Sequence, residues 1–518
     1  MVADRLTTLL ADVGAVATLD AAARDACFRR AAWTREATSE EIDRFLQALL
    51  ESEPSTDANR EQLVATALQH IVVAQRGAAQ NAPKIELADG VLQRAAELYR
   101  HLGPRHSASH LLLCMLTSAR TPPALADFAD LIVTDPPPDE GMVASIFGPL
   151  FQQADYDPRV LFPGLLDGIT HASVAPMILD LANFVTRKGW VREHPGTERQ
   201  ASFVTLLGAL VGRLGALESA TPTDAAEMKS LSRQVADGVS IAISLCDALA
   251  LIGDPSAVGK LYQALELAHR RLRVEAAAAL GRLGEQMGID VLVQMAEEPV
   301  VRLRVLAYAE ELGVLDKVEA KYRTGESQAE AELFLHLAQP TQMGVPPNSS
   351  EVVDARRQSW PGFDAPVDCY LLRFVYHIGE VEFSNIGIAG PLTHAFAADL
   401  SDLPPDDIYA AFAGWQTEGE QIEETDVAKL NDSQRVEAAR LQKRLSDEGF
   451  QAIEPLTLGS FFGDHVLVAM ARRDDNPGVV VADDRVTRWW PRGANQRPIG
   501  PLEAYCIYKG KRLLRAFN

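Results

Sequence analysis

The first two thirds of the chain have the hydrophobic pattern of amphipathic helices. Apolar residues recur at spacings of three and four, as at Leu63, Ala67 and Leu68, and this spacing places them on one helix face. Glycine and proline fall between such segments, for example at Gly103-Pro104, where they end one helix and begin the next. Almost no stretch here alternates like a strand, so we predict successive helices that pack on each other.

Short motifs recur within this helical region. The tetrapeptide Arg271–Val274 returns 31 residues later as Arg302–Val305. A glycine follows leucine or isoleucine at the predicted end of four helical segments, a position where the left-handed conformation suits glycine. These glycines are Gly215, Gly253, Gly284 and Gly313. Repetition at about thirty residues, the length of one helical hairpin, is typical of helical-repeat solenoids.

The segment from Gly253 to Gly313 resembles HEAT repeats. It contains Gly253-Asp-Pro-Ser-Ala-Val258 and then Arg273-Val-Glu-Ala-Ala-Ala-Ala-Leu-Gly-Arg-Leu-Gly284, and it is most similar to the short variety first named for phycobilisome lyase subunits. The resemblance implies that Asp254-Pro255 opens the first helix of a repeat and that the alanines let the second helix pack closely. The matching residues are structural, so no lyase activity is implied.

The sequence predicts four segments and a mostly α fold class. A helical segment over residues 1–60 precedes a HEAT-like α-solenoid over 61–338. Residues 339–360 are polar and rich in proline, which predicts a linker or an extended crossing segment. Residues 361–518 are richer in β-branched and aromatic residues, which predicts a C-terminal α+β domain.

Individual elements follow from the pattern of the C-terminal domain. A helix is predicted over 427–448, and hairpin turns are predicted at Asp474–Gly478 and Lys509-Gly510. Strands are predicted at 367–377, 380–388, 465–471, 478–482, 486–490, 503–508 and 512–517.

Composition and charge narrow the classes of partner. The 518 residues include 49 Lys+Arg and 71 Asp+Glu, a net charge of −22, which argues against nucleic acid or anionic lipid as a partner of the whole surface. The five cysteines are far apart in the chain, as expected for reduced thiols. With no visible signal peptide and no run of about 18 apolar residues, we expect a cytoplasmic protein that does not span a membrane.

Two segments of the C-terminal domain have opposite charge. Asp399–Asp426 contains nine acidic residues and no lysine or arginine, whereas Arg472–Asn518 contains ten basic and five acidic residues. The acidic segment is interpreted as a solvated surface, with a basic protein partner and calcium as the alternatives. The basic segment is interpreted as a face that docks on acidic surface, either that segment or the solenoid.

Arginines flank a pair of tryptophans in the basic segment. A guanidinium group beside an indole can hold phosphate while the indole stacks on a base. The candidate contact residues are Arg485, Arg488, Trp489, Trp490, Arg492 and Arg497. We favour protein docking because the rest of the chain repels phosphate. A contact of Arg488, Trp489, Trp490 and Arg492 with single-stranded nucleic acid or a nucleotide is a further hypothesis.

Candidates for metal binding and catalysis are weak. His106, His110 and Cys114 have a spacing that would place them on one helix face, where zinc could bind, but leucines surround the cysteine as in a protein core. Asp464 and His465 are adjacent in a predicted strand and would point to opposite faces. We therefore predict no catalytic, cofactor or metal site.

These observations favour a non-catalytic scaffold or adaptor. Protein partners would bind the solenoid surface, and the C-terminal domain would dock on that surface or modulate it. The alternative is that the C-terminal domain is an enzyme whose substrate the solenoid recruits. A pocket that brings His377, His394 or His465 together with carboxylates would favour the alternative.

Overall fold

The computed structural model describes residues 5–55, 57–77, 84–152, 155–417, 423–461, 463–492 and 499–517. The chain divides into two compact units, Met1–Asp290 and Val291–Asn518. The first unit is helical, and the second combines helices with two antiparallel sheets. The predicted fold class, mostly α with a C-terminal α+β part, is confirmed.

The first unit consists of helices joined by short connections. Its helices are α1 (Arg5–Ala15), α2 (Ala21–Ala31), α3 (Ser39–Glu51), α4 (Ala58–Gln75), α5 (Asp89–Leu102), α6 (Ser109–Ala119), α7 (Pro122–Thr134), α8 (Glu140–Phe147), α9 (Ala175–Arg187), α10 (Gln200–Glu218), α11 (Ala225–Ile252), α12 (Val258–Leu265) and α13 (Arg270–Arg282). Helices two apart in the chain are neighbours: α3 contacts α5, and α9 and α13 both contact α11. Likewise α4 contacts α6, and α10 contacts α12. This pattern of contacts forms two layers, as expected for stacked helical hairpins.

Residues 1–60 are not set apart from the following helices. Buried apolar residues form one continuous cluster from Leu6 in α1 to Leu280 in α13. Because α1 to α3 bury their apolar faces in this cluster, the predicted boundary at residue 60 has no counterpart in the packing.

Glycine ends several of the helices, as the sequence predicts. Gly253 follows α11 with φ of +80°, and its amide bonds back to the Leu249 carbonyl. Gly284 and Gly313 also have positive φ. The prediction for Gly215 is wrong, because α10 continues through it to Glu218. Glycine has a low helix propensity, but it still has the backbone N–H and C=O groups of a helix. An apolar helix can therefore continue through it.

Two helical segments are long and apolar enough, by length and composition alone, to cross a membrane: Thr197–Glu218 and Ala225–Ile252. Core helices of globular proteins meet the same criteria. In α11 the apolar stretch contains Asp247, which is ion-paired within the first unit. The expectation that the chain does not span a membrane stays a prediction.

The next helix, α14 (Gln286–Gln294), spans the division between the units. The second unit contains two further helices before its sheets. The remaining elements are α15 (Pro299–Glu311), α16 (Gly325–Leu337), β1 (Ser349–Gln358), β2 (Val367–Ile378), β3 (Val381–Ala389), β4 (His394–Ala395), α17 (Pro405–Gln416), β5 (Glu423–Asp426), α18 (Asp432–Asp447), β6 (Gln451–Phe461), β7 (Asp464–Arg473), β8 (Asn476–Ala482), β9 (Thr487–Pro491) and α19 (Pro501–Phe517). The sheet orders are β1-β2-β3-β4 and β5-β6-β7-β8-β9.

The second unit contains one succession of elements twice: a helix, four antiparallel strands and a helix. The first half is α16, β1 to β4 and α17, and the second is α18, β6 to β9 and α19. The hairpins β2–β3 and β7–β8 both turn over two residues and lie 95 positions apart. The final helices share a sequence pattern at an offset of 96: Pro405, Asp407, Tyr409, Phe412 and Gly414 match Pro501, Glu503, Tyr505, Tyr508 and Gly510.

Helices α17 and α19 pack closely against each other. A Cβ atom at Gly414 would overlap the carbonyl oxygen of Cys506, and one at Gly510 would overlap that of Ala410. These four residues correspond in pairs at the same offset of 96, so the contact has local two-fold symmetry. Glycine is required at both positions because the two backbones touch there.

Several predictions for residues 339–518 differ from the structure. Strand β1 lies inside the predicted linker and pairs with β2. The strands predicted at 503–508 and 512–517, and the turn at Lys509-Gly510, are wrong because all three lie within α19. Residues Ala504–Gly510 are all buried there, and a helix buried on every side has the same unbroken apolar pattern as a core strand. The helix within 427–448 is confirmed. The turn predicted at Asp474–Gly478 is formed by Asp474-Asp475, and Asn476–Gly478 already belong to β8.

Candidate functional site

One side chain from each of α9, α11 and α13 forms a chain of ion pairs in the first unit. Arg187 of α9 and Arg282 of α13 both bond to Asp247 of α11. The distance from Arg187 Nε to Asp247 Oδ2 is 3.3 Å, and that from Arg282 Nη1 to Asp247 Oδ1 is also 3.3 Å. The pairs connect three neighbouring helices of one layer.

A second polar network joins α9 and α11 beneath this chain. The Asn183 amide donates to the Ser244 carbonyl at 3.0 Å, and its Oδ1 lies 3.0 Å from His194 Nε2. The Gly196 amide donates to His194 Nδ1 at 3.0 Å. Burial lowers the pKa of His194 to about 4, so the neutral imidazole holds this network at neutral pH.

The same face of these helices also carries exposed polar residues. Asp180, Ser240 and Arg271 are exposed and lie seven or eleven residues from the members of the ion-pair chain, which places them on the same side of their helices. We call this surface the polar face. Its residues are Asp180, Arg187, Ser240, Asp247, Arg271 and Arg282.

A second candidate site is a cleft of about 650 Å³ within the second unit. It lies between β1, the start of α17 and the end of α19. Arg356 of β1 bonds at 2.7 Å to both Asp354 and Asp406, and Lys511 of α19 pairs with Asp407. The cleft is lined by Arg356, Gln358, Pro404, Asp406, Asp407, Tyr409, Ala410, Lys511, Leu514 and Arg515.

The predicted arginine–tryptophan site is divided between two faces of β9. Trp489 packs against Phe450, with ring centroids 5.3 Å apart. Its neighbour Trp490 packs on the other side of the sheet with residues of α19 and β8. Both indoles are half-buried, so they do not form one exposed stacking surface.

The arginines around these tryptophans have different environments. Arg485 and Arg492 are exposed, and Arg488 is half-buried. The Arg485 amide donates to the Asp483 carboxylate in the turn before β9. Arg497 lies outside the described residues.

The basic C-terminal segment does contact the acidic segment, through lysines of α19 instead of the arginines near β9. Lys509 Nζ lies 3.0 Å from Glu424 Oε1, and Lys511 pairs with Asp407. Both contacts lie within the second unit. Glu418 and Glu420, two further members of the acidic segment, lie outside the described residues.

The histidines and cysteines singled out in the sequence are dispersed. His106 precedes α6, which begins at Ser109, so the predicted stacking of His106, His110 and Cys114 on one helix is wrong. All five cysteines are buried and free. In the part of the chain that the structure describes, no group of three His, Cys, Asp or Glu side chains could hold a metal ion.

The histidines of the second unit do not line the cleft. His394 stacks on Trp415 with ring centroids 3.9 Å apart, and burial together with His336 lowers its pKa to about 4. His377 Nδ1 lies 3.9 Å from Glu382 on an exposed hairpin, whereas His465 lies in β7.

One region of the chain matches a known protein family. The HEAT repeat family matches residues 239–313, which include the end of α11 and the helices α12 and α13. Asp254, which follows α11, accepts a hydrogen bond from the Ser256 amide at 2.7 Å, so Asp254-Pro255 starts the next helical segment as the resemblance implies. A comparison with curated proteins finds no match.

Proposed function

We propose that this protein is a non-catalytic scaffold that binds a protein partner on the polar face of its helical-repeat unit. HEAT repeats are generally surfaces for protein–protein interaction. The region that matches them contains α13 and both residues that α11 contributes to this face, Ser240 and Asp247. The second unit would modulate that binding. The single observation that carries the proposal is the row of exposed polar residues Asp180, Ser240 and Arg271 on three neighbouring helices, which the ion pairs to Asp247 connect.

Two finer assignments accompany this proposal. The repeat at residues 253–284 belongs to the short HEAT variety, which the eight residues of α12 support. The protein is located in the cytoplasm, which the five free thiols support.

The test compares capture by the wild-type chain and a surface variant. The variant carries Ser240→Arg and Arg271→Glu, two exposed positions on the polar face. The tagged full chain is incubated with a lysate of its source at two salt concentrations, and bound proteins are identified by mass spectrometry. We expect a partner recovered by the wild type to fall at least about tenfold with the variant, a loss of roughly 1.4 kcal/mol in binding.

A matched control carries the same charge changes on α10, which lies in the other helix layer. It combines Thr205→Arg with Arg213→Glu, also at exposed positions, and should recover the partner like the wild type. Thermal melting of all three proteins establishes that they are folded. Equal recovery by the polar-face variant and the wild type contradicts the proposal.

A further inference from the structure

The two halves of the second unit differ at one edge of their sheets. In the second half, β5 pairs with the outer edge of β6. In the first half, β1 occupies the place of β6, and no strand among the described residues pairs with its outer edge. An unpaired edge presents free backbone N–H and C=O groups that can accept another strand.

The register identifies the part of β1 that corresponds to the β5 site. Strand β5 pairs with residues 457–460 of β6, and these pair with residues 465–468 of β7. The offset of 95 relates residues 465–468 to residues 370–373 of β2, which pair with residues 351–355 of β1. The edge of β1 over 351–355 is therefore the counterpart of the edge that β5 covers, and of its backbone groups the Asp354 carbonyl already accepts a hydrogen bond from the Tyr409 hydroxyl at 3.3 Å.

The charges around the two edges are also alike. Strand β5 has the sequence Glu-Glu-Thr-Asp, and its Glu424 pairs with Lys509 of α19 at 3.0 Å. Beside β1, the cleft of about 650 Å³ carries Lys511 and Arg515 of α19 together with Arg356, and it also carries Asp407, which pairs with Lys511, and Asp406, which pairs with Arg356. Arg515 is exposed, so α19 presents basic side chains to both edges.

We propose that the outer edge of β1 binds an acidic, extended segment of a partner protein as an additional antiparallel strand. Backbone hydrogen bonds to β1 supply the affinity, and alternate side chains of the added strand enter the cleft. Acidic residues are selected because the cleft contains the exposed Arg515, whereas its other cation from α19, Lys511, is already paired with Asp407. This site is separate from the polar face, so its test does not depend on the scaffold proposal.

The probe is a fluorescein-labelled peptide with the sequence of residues 421–428, Gln-Ile-Glu-Glu-Thr-Asp-Val-Ala, because β5 lies within this sequence. Binding to the full chain is measured by fluorescence polarisation. A control peptide carries lysine in place of each acidic residue. We expect saturable binding of the first peptide and at least about tenfold weaker binding of the second.

Two substitutions separate the backbone and charge contributions. Val353 is the bulged residue of β1 and has no partner in β2, so it is a position where proline is tolerated, and proline on an edge strand hinders the pairing of a further strand. Val353→Pro should reduce binding at least about tenfold, whereas Val353→Thr should not. Arg515→Glu should weaken binding about tenfold because attraction becomes repulsion.

Hydrogen–deuterium exchange gives the location of the bound peptide. With peptide added, amides of residues 349–358 should exchange more slowly, while those of β9, an edge of the other sheet, should not change. Absence of binding overturns the proposal, and so does binding without protection of residues 349–358. Equal affinity for the acidic and basic peptides overturns the assigned charge of the partner.

Discussion

The His194 imidazole illustrates how one buried side chain connects the loop before α10 to α9 in the first unit. It is 4% exposed, accepts a hydrogen bond from the Gly196 amide and contacts the Asn183 side chain. Burial removes water from around the imidazole and so disfavours its charged form, which is why the pKa of His194 falls to about 4. The sequence alone does not reveal this buried network, because Asn183 and Gly196, the two residues that bond to His194, do not form a recognisable motif with it.

Folding stability should therefore fall as the solution becomes acidic. Below the ordinary histidine pKa of 6.5 the unfolded chain binds a proton at His194, whereas the folded chain does not until about pH 4. The stability from this group is complete above pH 6.5 and decreases by about 3 kcal/mol down to pH 4. Urea unfolding of the first unit at several pH values measures this decrease.

Substitution isolates the contribution of His194 from that of the carboxyl groups. The variant His194→Gln should be less stable at pH 7.5 and should lose less stability between pH 6.5 and 4 than the wild type. The exposed His377→Gln serves as the matched control and should follow the wild-type curve. Parallel curves for the His194 variant and the wild type would show that this histidine does not set the pH dependence.

The crossing of α17 and α19 shows what decides structure at the scale of elements. The run Tyr505–Tyr508 combines aromatic and β-branched residues, which favours a strand by local pattern. The structure forms a helix instead because α17 packs on one side and the strands β7 and β8 on another. The repeated pattern of proline, acid, tyrosine and glycine in Pro405–Gly414 and Pro501–Gly510 is the sequence signal that could have indicated two equivalent helices.

Alanine at either crossing glycine should destabilise the second unit. The new Cβ of Gly414→Ala or Gly510→Ala would overlap a backbone carbonyl, which cannot move aside as a flexible side chain can. We expect a loss of about 3 kcal/mol in the free energy of unfolding for each variant, measured by urea denaturation.

The matched control is Gly212→Ala, in the interior of α10, where nothing lies within 4 Å of the added Cβ. This substitution should be neutral or stabilise by up to about 1 kcal/mol, since alanine favours helix. A stability for Gly414→Ala and Gly510→Ala equal to that of the control would disprove the close backbone contact.

At the scale of the whole molecule, the sequence predicts the order of helical and mixed regions but not where the second unit begins. The composition changes after residue 338, yet the unit starts at Val291. The reason is that α16 covers one face of the first sheet: Leu333 and Leu337 pack with Leu372 and Phe374. The period of an amphipathic helix shows that it has a buried face but not which element covers that face.

Fragments that begin at different residues test this boundary. Residues 291–518 should unfold cooperatively on heating and elute as a compact species in size-exclusion chromatography. Residues 361–518 lack both β1 and α16, so apolar residues of β2 become exposed and the fragment should aggregate. Residues 339–518 retain β1 but lack α16 and should be less stable than 291–518. If the 361–518 fragment unfolds as cooperatively as the 291–518 fragment, the domain boundary lies at the proline-rich segment instead of at Val291.

The helical-repeat surface and the cleft are predictable from the sequence to different degrees. The HEAT-like motif, with its helix ends at Gly253 and Gly284, is enough to indicate the class of surface. Arg356 and Arg515, which line the cleft, are 159 positions apart, and nothing in their local sequence relates them. The long-range packing of α17 against α19 is what brings them together.

The difference between the two sheet edges sets the stoichiometry of binding to the second unit. If both halves left their first-strand edges open, each chain could join two partner segments, and a partner with two such segments would be cross-linked into long assemblies. Because β5 already covers one edge, the described residues of the duplicated fold offer a single acceptor edge of this kind. The proposed strand addition therefore has a valency of one, and a partner segment bound at β1 would form a one-to-one complex with the second unit.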